Sequence, residues 1–225
     1  MPDIITSLAA LRVIPVVTIE RTEDVMPLAD ALVEGGLPCA EITFRTPAAA
    51  AAMRMISRRE DILLGAGTVL TCDQVSAAMD AGARFVVSPG FNPKVAGECK
   101  RRRIAHIPGV CTPTEIEAAL DSGLRVLKFF PAEACGGLGM LKAISQPYAS
   151  ARFVPTGGIN AGNLAGYLRF SKVLACGGTW IAETTIIRSG RFDIIRDNAR
   201  AAVNIAAECG PAAALPSHST ADCTP

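Results

Sequence analysis

The stretch that decides how the chain is interpreted reads Arg125-Val126-Leu127-Lys128-Phe129-Phe130-Pro131. It is a short apolar run of the kind that forms a buried strand, yet an ammonium group stands in its middle. Burying a charge without a partner costs roughly several kcal/mol. Either the strand ends at Lys128 and the side chain reaches water, or the lysine sits in an apolar pocket and attacks a ketone as the neutral amine, forming a Schiff base.

Seven other short apolar runs accompany this one, and all eight are evenly spaced along the chain. Their centres lie about 20 to 27 residues apart, which fits one strand and one helix per unit. The runs cover residues 13–19, 40–44, 62–66, 84–87, 104–107, 125–129, 152–155 and 173–176. Because strands that alternate with helices pair in parallel, the sequence predicts eight parallel strands.

The segments between the runs carry helix signals. Residues 22–34 place Val25, Leu28 and Leu32 on one helical face and close on a glycine pair. The stretch Thr112-Pro113-Thr114-Glu115 combines a cap residue, a first-turn proline and an early acid. Even spacing favours an α/β chain closed into a (β/α)8 TIM barrel over an open doubly wound sheet.

The barrel is expected to fill residues 1–209 as a single catalytic domain, with a short helix within residues 3–11 at its base. Residues 210–225 are rich in Ala, Pro, Ser and Thr without periodicity, which predicts a disordered tail. The N-terminus has neither a basic nor an apolar leader region, and no run of 18 apolar residues occurs. These features predict a cytoplasmic protein.

The composition narrows the possible partners. Of the 225 residues, 50% are hydrophobic, and 22 basic residues oppose 21 acidic ones, so nothing general favours nucleic acid or a membrane. The eight cysteines lack zinc-binding spacing and are expected to be reduced thiols. With two histidines, a histidine-rich metal site is not expected, although an all-carboxylate magnesium site stays open.

A polar face runs along the second predicted strand, Glu41-Ile42-Thr43-Phe44-Arg45. Strict alternation sets Glu41, Thr43 and Arg45 on one face and the apolar residues on the other. In an antiparallel sheet water would solvate that polar face. In a barrel it points into the mouth, where Glu41 can exchange protons and Arg45 can clamp a carboxylate.

Glycines follow several strands and indicate ligand contacts there. The stretch Gly65-Ala66-Gly67-Thr68 is a weak motif that offers a hydroxyl beside exposed backbone. The pairs Gly157-Gly158 and Gly177-Gly178 are predicted to end the last two strands, where barrel loops often hold phosphate with backbone N–H groups.

Two other features have ordinary structural explanations. The basic run Lys100-Arg101-Arg102-Arg103 ends a predicted helix, where cations complement the helix dipole, so a solvated face is favoured over a nucleic-acid patch. His106 lies in a predicted strand and is interpreted as a core histidine rather than a metal ligand.

Six segments, in order between about residues 5 and 208, resemble the 2-keto-3-deoxy-6-phosphogluconate (KDPG) and 4-hydroxy-2-oxoglutarate (KHG) aldolase family. This resemblance implies a homotrimer of barrels, a phosphorylated 2-keto acid as substrate, no metal or other cofactor, and a place in the Entner–Doudoroff pathway of carbohydrate metabolism. The segments are 41–46, 65–70, 88–90, 128–133, 155–159 and 177–180.

The resemblance also implies roles for individual residues. Lys128 would be the Schiff-base lysine and Glu41 the general acid and base. Thr179 stands where the family pattern has serine, and it keeps the hydroxyl. The implied substrate contacts are Arg45 and Thr68 for the carboxylate, Pro89 and Phe130 for the pocket wall, and Gly157, Gly158 and Thr179 for the phosphate.

Two other functions remain open at this stage. A phosphosugar isomerase or epimerase could use Glu41 as its base with Lys128 only an electrostatic partner. A binding barrel for phosphorylated ligands would need no catalysis, because fold does not fix function.

Overall fold

The structure is a computed structural model, and it describes residues 3–213. Its strands are β1 (Val13–Val17), β2 (Cys39–Thr43), β3 (Leu63–Gly67), β4 (Phe85–Val87), β5 (Ala105–Ile107), β6 (Gly109–Val110), β7 (Val126–Phe129), β8 (Arg152–Pro155) and β9 (Cys176–Gly178). Its α-helices are α1 (Ile4–Leu11), α2 (Val25–Glu34), α3 (Ala49–Ile56), α4 (Cys72–Asp80), α5 (Pro93–Arg102), α6 (Pro113–Asp121), α7 (Gly137–Ser145), α8 (Ala161–Leu168), α9 (Thr184–Arg188) and α10 (Phe192–Cys209).

Several helices begin where the sequence offers a capping side chain. Thr112 accepts a hydrogen bond from the Glu115 N–H, and the Glu115 carboxylate accepts one from the Thr112 N–H, so the predicted cap of α6 is confirmed. Asn92 and Asn160 cap α5 and α8. The helix predicted over residues 22–34 is a 3-10 turn at Thr22–Asp24 that leads into α2.

The strands form two parallel sheets. One has the order β5-β4-β3-β2-β1-β9 and the other β6-β7-β8. In the first, Glu41 lies between Val16 and Gly65, and in the second, Lys128 lies between Gly109 and Val154. The chain is therefore an α/β fold with the parallel pairing that the sequence predicts.

The run predicted as the fifth strand, residues 104–107, is β5, and a further short strand, β6, follows it after Pro108. A proline has no N–H to donate to a ladder. β5 pairs with β4, whereas β6 pairs with β7, and the Pro108 carbonyl accepts a hydrogen bond of 2.8 Å from the Lys128 N–H. Residues 3–213 therefore contain nine strands, one more than the eight that the sequence predicts.

The eighth predicted run begins too early in the sequence. Residues 173–176 were expected to be strand and Gly177-Gly178 to be the loop after it, but both glycines lie inside β9 and pair with Ile14 and Pro15. A Cβ at Gly177 would stand 2.3 Å from Thr156 Oγ1, so glycine lets β9 approach the chain after β8. A glycine-pair loop after the last strand is therefore wrong.

The interior contains two apolar clusters, and the smaller one draws from six strands and α1. We call it the inner cluster, and Leu8 of α1 is fully buried in it, so the predicted N-terminal helix is confirmed. Because side chains two residues apart share a face of a strand, residues two positions beyond the inner cluster lie next to it. The inner cluster consists of Leu8, Ile14, Cys39, Phe85, Val87, Ile107, Val126, Val154, Leu174 and Ala175.

The last helix, α10, ends at Cys209, and residues 210–213 continue as irregular chain. Most of the predicted tail, residues 214–225, lies outside the described residues. No helix within residues 3–213 has the length and apolar character needed to cross a membrane. The cysteines in this part of the chain are free thiols.

Candidate active site

Lys128 and Glu41 occupy equivalent positions on two different strands. Each lies two residues beyond a member of the inner cluster, Val126 on β7 and Cys39 on β2, so both side chains share the face on which that cluster packs. Lys128 is 5% exposed and Glu41 2% exposed. Lys128 is therefore buried, and the interpretation in which its side chain reaches water is wrong.

The two buried charges face each other. Lys128 Nζ lies 3.6 Å from Glu41 Oε1, which is an ion-pair contact longer than a normal hydrogen bond. Among residues 3–213, Glu41 Oε1 has no hydrogen-bond partner. The ammonium also lies over the Phe130 ring, whose centroid is 5.0 Å from Nζ. A cation near a carboxylate and an aromatic face is stabilised without being fully hydrogen-bonded.

Burial raises the pKa of the Glu41 carboxyl, and the positive charges of Lys128 and then Arg45 oppose that rise. Gly67 of β3 packs tightly against the Glu41 carboxylate, since a Cβ at this position would stand 2.3 Å from Glu41 Oε1. A raised pKa makes a carboxyl a stronger proton acceptor that can still return the proton, as general acid–base catalysis requires. The site therefore holds a nucleophile candidate beside a proton-transfer group.

The alternation predicted for β2 holds for only part of its length. Glu41 and Thr43 are buried, and the Thr43 hydroxyl donates to the Val17 carbonyl and contacts Thr18 Oγ1, each at 3.0 Å. β2 ends at Thr43, and Arg45 lies in the following turn with its side chain exposed. Arg45 is thus at the mouth, but not because it continues the strand face.

Three further predicted residues surround the Lys128 and Glu41 pair. Thr68 follows Gly67 directly and has a positive φ of 56°, a strained conformation for threonine that turns the chain sharply after β3. The Pro89 carbonyl packs against Gly109, the residue beside Lys128 in the ladder, where a Cβ would lie only 1.9 Å from that oxygen. Phe130 covers the ammonium.

The loop after β8 has an unusual backbone. Gly157 and Gly158 have φ values of 98° and 82°, which L side chains rarely adopt. The Thr156 carbonyl accepts from the Ala132 N–H at 2.8 Å, and the Gly157 carbonyl accepts from the Glu133 N–H at 3.0 Å. Because C=O and N–H point in opposite directions across a trans peptide, the N–H groups of both glycines point away from the Ala132 side.

Arg45 and Thr179 are brought together at the rim. They line one cavity of about 350 Å³ with Thr18 and the chain around Glu183. Thr179 is exposed and leads from β9 into the 3-10 turn Trp180–Ala182. The polar lining and the Arg45 guanidinium suit this cavity to an anionic group.

The sequence missed two features of this region. Thr18, just after β1, contacts Thr43 and lines the rim cavity. The Tyr167 hydroxyl donates to Glu133 Oε1 across the loops after β7 and β8. A polar residue ending the first strand could have signalled Thr18, but nothing local links residues 34 positions apart.

Other predicted features lie elsewhere. His106 is buried and Nε2 is 3.0 Å from Ser88 Oγ, which agrees with a core histidine. It lines a cavity of about 500 Å³ that also touches Asp3 and Arg125 and contains neither Lys128 nor Glu41. The run Lys100–Arg103 closes α5, where Arg101 and Arg102 pair with Glu98.

No group of three or more His, Cys, Asp or Glu side chains within residues 3–213 could hold a metal ion. What the arrangement offers instead is an amine beside a carboxylate, a flanking aromatic ring, a guanidinium at the rim, and a glycine loop with outward N–H groups. Such a set can bind a small molecule with two anionic ends and react with a carbonyl between them.

Comparisons of the chain with known proteins point to one enzyme family. A model of the family "KDPG and KHG aldolase" matches residues 4–197. A 2-dehydro-3-deoxy-phosphogluconate aldolase of Treponema pallidum is 53% identical over 193 residues, 85% of this chain and 92% of that protein. One of Haemophilus influenzae is 45% identical over 90% of this chain and 96% of its own. The KDPG aldolase of Legionella pneumophila, a structure with pyruvate captured as a covalent carbinolamine, superposes with a TM-score of 0.86 at 40% identity, covering 89% and 98%.

Proposed function

The chain belongs to the KDPG and KHG aldolase family, and we propose that it cleaves KDPG to pyruvate and glyceraldehyde 3-phosphate through a Schiff base on Lys128. As a member it is an aldolase, a carbon–carbon lyase. One observation carries the assignment of the chemistry: a buried lysine Nζ stands 3.6 Å from a buried carboxylate oxygen. The carbinolamine of pyruvate in the Legionella pneumophila relative supports the covalent route.

Lys128 suits the nucleophile's role because its surroundings do not tie up the amine. The Phe130 ring and the backbone of Gly109 and Val154 flank it, and within residues 3–213 its one ion pair is with Glu41. Once Glu41 accepts a proton, the amine can attack a ketone carbon.

Glu41 is proposed as the general acid and base. Its raised pKa follows from burial, and its unpaired Oε1 leaves a lone pair free for a substrate hydroxyl or a water. A buried carboxyl whose pKa lies nearer to neutrality transfers protons in both directions efficiently. The contact with Lys128 lets it serve the amine as well.

The two anionic ends of the substrate are proposed to bind at the mouth of the site, where Arg45 and Thr179 line one cavity. Arg45 and Thr68 would hold the carboxylate next to the ketone, because a guanidinium binds carboxylates bidentately. Pro89 and Phe130 would form the wall. The N–H groups of Gly157 and Gly158 and the Thr179 hydroxyl would receive the phosphate, since consecutive backbone N–H groups make an anion-binding concavity.

The proposed reaction needs no group beyond these side chains. Lys128 attacks the ketone carbon, and water leaves to give an iminium. Glu41 removes the proton of the nearest hydroxyl beyond the methylene group, directly or through water. The bond between the methylene and hydroxyl-bearing carbons breaks, its electrons move to the iminium, and glyceraldehyde 3-phosphate leaves. Protonation of the enamine and hydrolysis then release pyruvate and the free amine.

We also propose the same cleavage of 4-hydroxy-2-oxoglutarate to pyruvate and glyoxylate. The matching family includes KHG aldolases, and its members in Escherichia coli, at 40% identity, are named KHG/KDPG aldolase. The proposed ketone and carboxylate contacts are common to both substrates. Only the phosphate contacts distinguish them.

The proposed architecture is a closed (β/α)8 TIM barrel in one domain, residues 1–209. β5 and β6 would serve as one strand across Pro108, and single bridges from Phe153 to Val173 and from Thr156 to Gly177 support closure between β8 and β9. We further expect a homotrimer working in the cytoplasm, as the family resemblance and the free thiols suggest. Sedimentation of the purified protein measures the first of these directly.

The test is pyruvate release from KDPG, coupled to lactate dehydrogenase, in the wild type and Lys128→Arg. Arginine keeps the charge but cannot form a Schiff base, so turnover should disappear. Lys142→Arg is the matched control, because Lys142 also stands over an aromatic ring, 5.9 Å from the Phe170 centroid, on the exposed face of α7. Retained turnover in Lys128→Arg would favour an isomerase or a different nucleophile, and a wild type that binds but never cleaves would favour a binding barrel.

A further inference from the structure

The loops that follow β7 and β8 are joined by a set of contacts that the proposed reaction does not use. Beyond the backbone hydrogen bonds from Ala132 and Glu133, the Glu133 side chain packs on the second glycine: a Cβ at Gly158 would stand 2.6 Å from Glu133 Cβ. Glu133 therefore touches the glycine loop with both its backbone and its side chain.

Tyr167 fixes the other end of that side chain. It projects from α8, the helix that follows the glycine loop, and is 2% exposed. Its hydroxyl donates to Glu133 Oε1. Burial and then the Glu133 contact raise the pKa of Tyr167, so the hydroxyl keeps its proton and remains a donor. The carboxylate is thus held toward α8.

Gly137 leaves room for this pair. Its φ is 64°, and a Cβ there would lie 3.1 Å from Glu133 Oε1 and 3.4 Å from the Tyr167 hydroxyl. The amide groups of Asn160 and Asn163 donate to the Gly158 carbonyl at 3.3 and 3.0 Å. The carbonyls of Thr156, Gly157 and Gly158 are therefore all hydrogen-bonded, and the first two leave the N–H groups of Gly157 and Gly158 directed away from Ala132 and Glu133.

We propose that Tyr167 and Glu133 are positioning residues that hold the Gly157-Gly158 loop in its anion-binding shape and thereby set the preference for phosphorylated over unphosphorylated substrates. This inference rests on the proposed function, because it concerns the phosphate end of the same site. The Tyr167 hydroxyl holds the Glu133 side chain, which packs against Gly158, so the pair fixes the backbone of the glycine loop.

The experiment compares Tyr167→Phe with the wild type on two substrates, KDPG and the unphosphorylated 4-hydroxy-2-oxoglutarate. We expect KM for KDPG to rise about tenfold, as for loss of one hydrogen bond to a charged group, with kcat unchanged within about twofold. KM for 4-hydroxy-2-oxoglutarate should not change. Inhibition by inorganic phosphate should weaken by a similar factor.

Tyr148→Phe is the matched control. Tyr148, the other tyrosine of the chain, lies between α7 and β8 and also donates to a glutamate, Glu117 of α6, at 2.9 Å. Glu133→Ala gives a second, independent variant at an exposed position, and it should raise KM for KDPG as Tyr167→Phe does. Combining the two substitutions should raise KM no further.

The outcomes separate the claims. An equal rise in KM for both substrates, or an unchanged KM for KDPG in either variant, overturns the positioning role. A wild type with the same KM for both substrates overturns the phosphate site and this inference with it, while the aldolase assignment stands. Absence of any cleavage by the wild type overturns the proposed function itself.

Discussion

Gly67→Ala should move the Glu41 carboxylate, the proposed general acid and base, without changing its chemistry. The new Cβ would stand 2.3 Å from Glu41 Oε1, 2.8 Å from Cγ and 2.9 Å from Cδ. An ordinary contact begins at 3.4 Å, so the carboxylate must withdraw by about 1.1 Å, the difference between 3.4 and 2.3 Å. Gly67 does not have a positive φ, so alanine fits the backbone of β3. The perturbation is therefore confined to the side chain of Glu41.

Displacing a catalytic group by about 1 Å costs on the order of a hundredfold in rate. We expect kcat for KDPG to fall by about that factor in Gly67→Ala, measured by coupled pyruvate release. Gly97→Ala is the control, because Gly97 lies in α5 with nothing within 4 Å of the added Cβ. It should keep full activity and gain about 0.5 kcal/mol or more in stability, as glycine does when replaced within a helix.

Circular dichroism and thermal unfolding establish that Gly67→Ala is folded. A folded variant whose kcat stays within about twofold of the wild type would refute the reasoning, since Glu41 could then do its work from a displaced position. A loss confined to KM would contradict it as well, because the Glu41 carboxylate is assigned to proton transfer and not to binding.

Two pH-dependent predictions follow from buried groups. Burial raises the pKa of Glu41 above 4.5, so the wild type should lose stability as the pH rises above that value. Glu41→Gln should lose less stability over the same range, and its kcat should fall by about a hundredfold or more. Urea unfolding from pH 4.5 to 8 measures the difference, and parallel curves would contradict it. Burial lowers the pKa of His106 from 6.5 to about 4, so the unfolded chain takes up a proton first and stability falls as the pH drops from 6.5 towards 4, by up to about 3 kcal/mol. His106→Gln should lose correspondingly less stability as the pH falls from 6.5 towards 4. If its free energy of unfolding falls with pH as steeply as that of the wild type, His106 does not cause the loss.

Much of the site could be predicted because its residues lie at fixed positions on strands. Lys128 and Glu41 were found as charges inside short apolar runs, and the period of two puts each beside the inner cluster. The same period failed at Arg45, because β2 ends at Thr43 and the chain turns before the arginine is reached. Local pattern therefore identifies a strand's face but not where the strand stops.

Other features depend on contacts that no local pattern contains. The predicted fifth run stops at residue 107, and the sequence offers no sign that a further strand follows Pro108 and pairs with a different neighbour. Gly177 and Gly178 resemble a turn but lie in β9, where a side chain at Gly177 would collide with Thr156. The pair Glu133 and Tyr167 forms only when two loops meet in the folded chain.

The central claim is that Lys128 becomes covalently bound to the keto acid, and trapping with borohydride tests it most directly. The protein is incubated with pyruvate, reduced, digested and analysed by mass spectrometry. We predict that the peptide containing Lys128 gains the mass of a reduced pyruvate imine and that activity is lost in proportion. An active protein whose Lys128 peptide stays unmodified, or whose adduct lies on another lysine, would contradict the account.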